Sequence, residues 1–215
     1  MREKLEKEAF TAREWEIIAT HRTPAQVQRF LSALRYNRER EGATLRSFRA
    51  ALRRGEVHCL EAALVAAVIL EQHSQPPLLL SLASQDQLDH VVFLFRRKNL
   101  WGAIARSRDT GLHGRRPVFR NVRQLAWSYF DPYVDFTARI NGYGVGDLRE
   151  LGNCDWRFSE RNVWKVERYL QEIPHRELKS SERRYQHLLA RFAVFRRTHP
   201  TGAPTYFENK DQWML

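Results

Sequence analysis

Apolar positions along this 215-residue chain recur mostly at helical spacing, interrupted near the middle by short runs of β character. Residues 3–20 predict a charged helical arm in one or two pieces, with Trp15, Ile18 and Ala19 on its apolar side. Thr23-Pro24 reads as a helix start, a hydroxyl cap followed by Pro at the first helical position. Val27, Phe30, Leu31 and Leu34 then fall on one face. Tyr36-Asn37 closes that helix, and Leu45, Phe48 and Leu52 form a further stripe ended by Gly55. Residues 59–70, CLEAALVAAVIL, are apolar on nearly every side. That pattern predicts a helix buried from all directions, with alanines that let neighbours approach closely. Pro76-Pro77 forbids its continuation.

Residues 78–82 read as a short buried strand, followed by a polar loop over 84–89. His90-Val91-Val92-Phe93-Leu94-Phe95 is β-branched and aromatic, a strand by composition. A tight turn over 96–99 leads to its antiparallel partner, residues 100–105. Pro117 is expected to open a helix carrying Val118, Val122, Leu125, Ala126 and Tyr129, stopped by Asp131-Pro132. Residues 132–158 read as loop with at most one short strand. Ser159 is expected to cap a helix with Val163, Val166, Leu170 and Ile173 inward. Ser180 or Ser181 caps another, with Tyr185, Leu188, Leu189, Phe192 and Phe195 as its stripe. The fold class is therefore α+β, helices packed around a small antiparallel sheet. Its organisation is a helical arm (1–22), a core (23–135), a loop and C-terminal helical extension (136–199) and an extended tail (200–215).

Composition narrows the classes. Hydrophobic residues make up 43% and charged residues 28%, which is globular and not disordered. Two cysteines exclude a disulfide scaffold. The most apolar run, residues 60–70, falls short of the ~20 residues that span a bilayer, so no membrane crossing is expected. The charged N-terminus lacks an apolar signal core, which makes a cytoplasmic location the default. The 36 basic residues against 25 acidic ones leave a net charge of +11, and 30 of the 36 are arginines. Two readings fit: an anion-binding face for nucleic acid or an acidic protein, or a coding habit that writes Arg for Lys. The arginines are spread along the chain instead of gathered in one block.

Cys59 carries the sharpest chemical signal. It opens the buried helix, where unpaired N–H groups and the helix dipole favour a thiolate, the form that acts as a nucleophile. The same N–H groups suit an oxyanion. His90 opens a strand downstream, the place for a base that packs beside the helix start. A third polar group is needed to orient the imidazole, and the next strand ends near Ser107 and Asp109.

This order resembles the transglutaminase-like branch of the papain-type cysteine hydrolases. The residues that carry the resemblance are the Cys59-Leu60-Glu61-Ala62-Ala63 helix opening, the Asp89-His90 strand opening and Trp101 on the following strand. It covers residues 24–110, about half the chain. It implies a transglutaminase-like core and attack by Cys59 on an amide or ester, with His90 moving the proton. It also implies an Asp about four residues after the Trp. Here that position is Ala105, so Asp109, Ser107, Asp89 and Asn121 stay open as the third member. Tyr36 or Asn37 is placed to lend a side chain to the oxyanion site. Arg115 and Arg116, in an Arg-rich stretch after the second strand, would draw an acidic peptide or protein substrate.

Other motifs carry less. His58 and Cys59 are helix neighbours that point apart and do not chelate one ion. Cys154 reads as a half-buried anchor, and a zinc site from Cys59, His90 and Cys154 is disfavoured, as it has no CxxC spacing. Asn141-Gly142-Tyr143-Gly144-Val145-Gly146 lacks the Lys and following helix of a phosphate loop and reads as a turn. No metal or cofactor is expected, and the oligomeric state is open. Two functions follow: a cysteine hydrolase or acyltransferase, or the same fold without catalysis as a basic binding module for nucleic acid or an acidic protein.

Overall fold

The computed structural model describes residues 5–85, 89–133, 139–200 and 210–215. Its centre is the helix α4 (Cys59–Glu71), in which every residue from 60 to 70 is buried. Around it stand α1 (Ala12–Thr20), α2 (Pro24–Ala33) and α3 (Phe48–Arg54). Their starts follow cap chemistry. Thr11 and Thr23 form capping boxes with Glu14 and Gln26, Ser47 caps α3, and Gly55 ends α3 at φ 69°. The N-terminal arm comes in two pieces, a short 3-10 turn at Lys7–Ala9 and then α1.

Strand β1 (Arg35–Tyr36) pairs in parallel with β2 (Glu56–Val57), Tyr36 opposite Val57. This two-residue ladder was not expected at Tyr36-Asn37, and it sets Tyr36 beside the start of α4. The main sheet holds β3 (Leu78–Ser84), β4 (His90–Arg97), β5 (Leu100–Ile104), β6 (Arg115–Phe119), β7 (Ile140–Asp147) and β8 (Arg176–Glu177). Their order is β6-β5-β4-β3-β7-β8 and every pairing is antiparallel. The β4–β5 turn is two residues, Lys98 and Asn99, with φ 47° and 63°, as a tight primed turn requires.

Both faces of the sheet are covered. Val91, Phe93 and Phe95 pack with α4 in one core, and Val92 and Leu94 enter a second core with Tyr129, Phe130 and Tyr185. Two-sided burial explains why β4 is apolar without alternation. The second core is closed by α5 (Val122–Trp127), α6 (Phe130–Tyr133) and α8 (Glu182–Thr198). Helix α7 (Trp164–Glu172) lies on β7, and α9 (Lys210–Trp213) reaches β6.

Several expectations are corrected. Pro117 lies in the strand β6, and the helix begins at Val122 under the Asn121 cap. β6 ends the strand order, and a sheet tolerates proline at such an edge. The glycine-rich run 141–146 is strand, not turn. A Cβ at Gly144 would stand 3.0 Å from Ile173 and one at Gly146 2.8 Å from Tyr169, so these glycines let α7 lie directly on the strand. Because β7 pairs along the whole of β3, the sheet crosses the boundary drawn at residue 135. Helix α7 starts five residues after Ser159, with no side-chain cap. Ser181 caps α8, of whose stripe only Tyr185 is buried. The tail is not wholly extended: α9 forms, and Met214 bridges to Arg115. Residues 1–4 of the arm, 86–88 of the polar loop, 134–138 and 201–209 lie outside the described residues.

Burial sets the stability of this arrangement. Leu64→Ala in α4, at 0% exposure, is expected to cost about 2–5 kcal/mol in denaturant unfolding. Val194→Ala, at 52% exposure on α8, should stay within about 0.5 kcal/mol of the parent.

Candidate active site

Cys59 is the first residue of α4 and is partly accessible to solvent. The local fold is enforced by Glu61, a carboxylate at 0% exposure. Glu61 accepts from Asn37 Nδ2 at 3.1 Å, Thr44 Oγ1 at 3.1 Å, Arg46 N–H at 3.0 Å and His58 N–H at 3.1 Å. The Arg46 guanidinium adds charge at 3.9 Å. A buried carboxylate this well supplied with donors stays in place. It ties the chain after β1 and the residue before Cys59 to one turn of helix.

His58 is the N-cap of α4. Its Nδ1 receives the Leu60 N–H at 3.2 Å, and its Nε2 meets the Thr44 carbonyl at 2.9 Å. His90, at the start of β4, is also buried, and its Nε2 meets the Leu112 carbonyl at 2.9 Å. Both imidazoles act on the Cys59 thiol. Burial pushes its pKa up, but hydrogen bonding and charge from His58 and His90 outweigh this and bring it down to about 5. The thiolate is therefore the resting form at neutral pH.

The two rings are not equivalent. The thiolate and Glu61 draw a proton onto His58, whose pKa is pushed up to about 9 against the opposing effect of burial. The helix cap, however, needs the Nδ1 lone pair for Leu60. Cation and cap compete for one nitrogen. In His90, Nε2 is committed to a carbonyl, which leaves Nδ1 to serve the sulfur. His90 can exchange a proton without undoing a helix cap.

Tyr36 faces this pair. Burial and the neighbouring thiolate push its phenol up to about 12, so it stays a donor. Arg106 lies 5.8 Å from its ring. His113, held by the Ser107 carbonyl at 3.0 Å, is kept neutral by burial, with a pKa of about 4.

The remaining expected residues are distributed differently. Asp109 and Ser107 belong to the loop that presents Leu112. Asp109 Oδ1 accepts the Gly111 N–H at 2.8 Å, and Ser107 Oγ accepts the Asp109 N–H at 3.2 Å. The His90 ring meets a backbone carbonyl there, not either side chain. Asp89 Oδ1 accepts from Ser84, and Asn121 caps α5. Asn37 spends its amide on Glu61 and Thr44, so it is a structural residue and not an oxyanion donor. Trp101 pairs with Arg96, six residues along β4 from His90, which is about 20 Å of strand. It is not at the sulfur. Arg115 is fully buried and does not meet substrate, while Arg116 next to it faces solvent. Cys154 is half-buried and its pKa is raised by burial. A cavity of about 710 Å³ lies elsewhere, lined by Phe119, Trp127, Arg184 and Trp213 among others. Among the described residues no cluster suits a metal ion, and no helix is long and apolar enough to cross a membrane.

Sequence reasoning missed Glu61, the Leu112 carbonyl and His58, which was expected to point away from Cys59 but as the N-cap lies outside the helix and acts on the thiol. Glu61 left a trace, as the one acid in the apolar run 59–70. A main-chain acceptor leaves none. No known protein-family model matches the chain, and no curated protein matches it.

The thiolate assignment makes a pH prediction. In a Cys154→Ser background, iodoacetamide labelling of Cys59 should be slow below pH 5, where the thiol is protonated. It should rise with a midpoint near 5, where a free thiol titrates near 8.5. His90→Ala should move the midpoint upward by a unit or more.

Proposed function

We propose that this protein is a cysteine hydrolase or acyltransferase of the transglutaminase-like kind, acting on an amide or ester through Cys59 and His90. The observation that carries this reading is the partly exposed Cys59 at a helix start, held as thiolate by its chain neighbour His58 and by His90 from the sheet.

The Cys59 thiolate attacks the acyl carbon and a C–S bond forms. The carbonyl electron pair moves to oxygen, beside the Cys59 N–H at the helix start and the Tyr36 hydroxyl. As the tetrahedral species collapses, the C–N or C–O bond breaks, and the His90 imidazolium gives its proton to the leaving amine or alcohol. A thioester remains. Water or an amine then attacks it with His90 as base, and the thiolate leaves. A peptide or protein substrate suits this chemistry.

The net charge of +11 also motivates a binding module. Within the fold, however, arginines are spent on structure. Arg49 pairs with Glu14, Arg157 with Glu71, Arg184 with Asp131 and Arg139 with Glu182, and Arg115 is buried. That use of arginine favours the enzymatic reading.

The test is an activated acyl ester and a library of peptide amides, followed by intact-mass measurement after acid quench. The expected result is an acyl adduct on Cys59, with turnover lowered by at least about 10³-fold in Cys59→Ala. No adduct with any donor, together with Cys59 labelling at the rate of a free thiol, would overturn the proposal.

A further inference from the structure

Resting on the reading of Cys59 and His90 as a reactive pair, we propose that Arg115 is a positioning residue. It turns the Leu112 carbonyl toward His90, so that a peptide oxygen does the orienting done elsewhere by a carboxylate.

The argument is geometric. Arg115 sits at 0% exposure. Its Nη2 donates to the Gly111 carbonyl at 2.8 Å and its Nη1 to the His113 carbonyl at 2.8 Å. These two carbonyls bracket that of Leu112, which is directed to His90 Nε2 at 2.9 Å. Holding the outer pair on one guanidinium fixes the direction of the middle one. The guanidinium is itself anchored at the end of α5, where Nε donates to Ser128 Oγ at 3.0 Å and Nη2 to the Ser128 carbonyl at 3.1 Å. Its centre lies 4.0 Å from the Tyr129 ring centroid. Tyr129 in turn meets the His90 ring edge-on, with centroids 5.7 Å apart, and its hydroxyl donates to the His113 carbonyl at 3.2 Å. Asp109 closes the far side of the same turn through the Gly111 N–H and the Leu112 N–H.

A planar fork is needed for this bracket. Lysine keeps the positive charge but presents a single nitrogen, which cannot hold two diverging carbonyls and Ser128 together. Arg115→Lys therefore separates orientation from charge. The consequence falls on the ring tautomer. An acceptor fixed at Nε2 keeps the proton there in neutral His90 and leaves the Nδ1 lone pair for the sulfur.

Two measurements test this. The first is ¹⁵N-histidine NMR of a Cys59→Ser variant at about pH 9, where an ordinary imidazole is neutral. The expected His90 spectrum shows a hydrogen-bonded Nε2–H and a bare Nδ1, and the opposite tautomer overturns the proposal. The second is the pH profile of Cys59 labelling in Arg115→Lys, with folding checked by near-UV circular dichroism. The expected result is a folded protein whose midpoint rises by about one pH unit, with at least a tenfold slower acylation at pH 6. A folded Arg115→Lys with an unchanged profile overturns it. If Arg115→Lys does not fold, Ser128→Ala, which removes one anchor, takes its place with the same expected direction. A wild-type Cys59 that labels like a free thiol would instead sink the hydrolase reading, so the two failures are distinct.

Discussion

A helix with no solvent-facing side can bury its length but not its beginning. The first N–H groups of α4 have no partners within the helix, and they must be met by side chains or by water. Here the start is met by a cap, His58, and by a buried acid, Glu61, which together draw in the chain on either side. Cys59 stands where that scaffold ends and solvent begins. Its position at the helix start and its partial exposure share this one cause, and the cap residue His58 contributes part of its low pKa. The polar apparatus around Glu61 costs desolvation, which its four hydrogen bonds offset.

The sheet supplies the second half of the site. β4 is central and buried on both faces, so its first residue is held as firmly as the core itself. Register does the rest. Phe93 lies opposite Ile104, and continuing that pairing brings residue 107 across from His90. The loop that follows β5 therefore starts at the histidine and folds back over it, and the Leu112 carbonyl reaches the ring. By the same register Trp101 is carried to the other end of the hairpin. One antiparallel pairing decides both outcomes.

What was legible in the sequence tracks what side-chain type alone can encode. The all-round apolar run named α4 as central, and the β-branched and aromatic run after His90 named β4. Thr23-Pro24 and the pair Ser180-Ser181 named two helix starts, of which Ser181 is the cap of the second. Pro117 misled because proline opens helices and also occupies edge strands, and only the neighbours decide. Arg115 and Arg116 read alike as a pair, yet consecutive strand residues face opposite ways, one inward and one to solvent. The group that orients His90 was sought among acids, a hydroxyl and the Asn121 amide, whereas the atom at its Nε2 belongs to a peptide bond. No residue type announces a carbonyl direction.

The excess of arginine gains a structural sense from that last point. A buried guanidinium is expensive unless every N–H finds an acceptor. Arg115 meets this condition with four carbonyl groups, the Ser128 hydroxyl and the Met214 sulfur, and the Tyr129 face covers it. Burial lowers its pKa only to about 10, so it remains a cation at neutral pH. A cation held by this many acceptors cannot turn, so the carbonyls it gathers are fixed in direction with it.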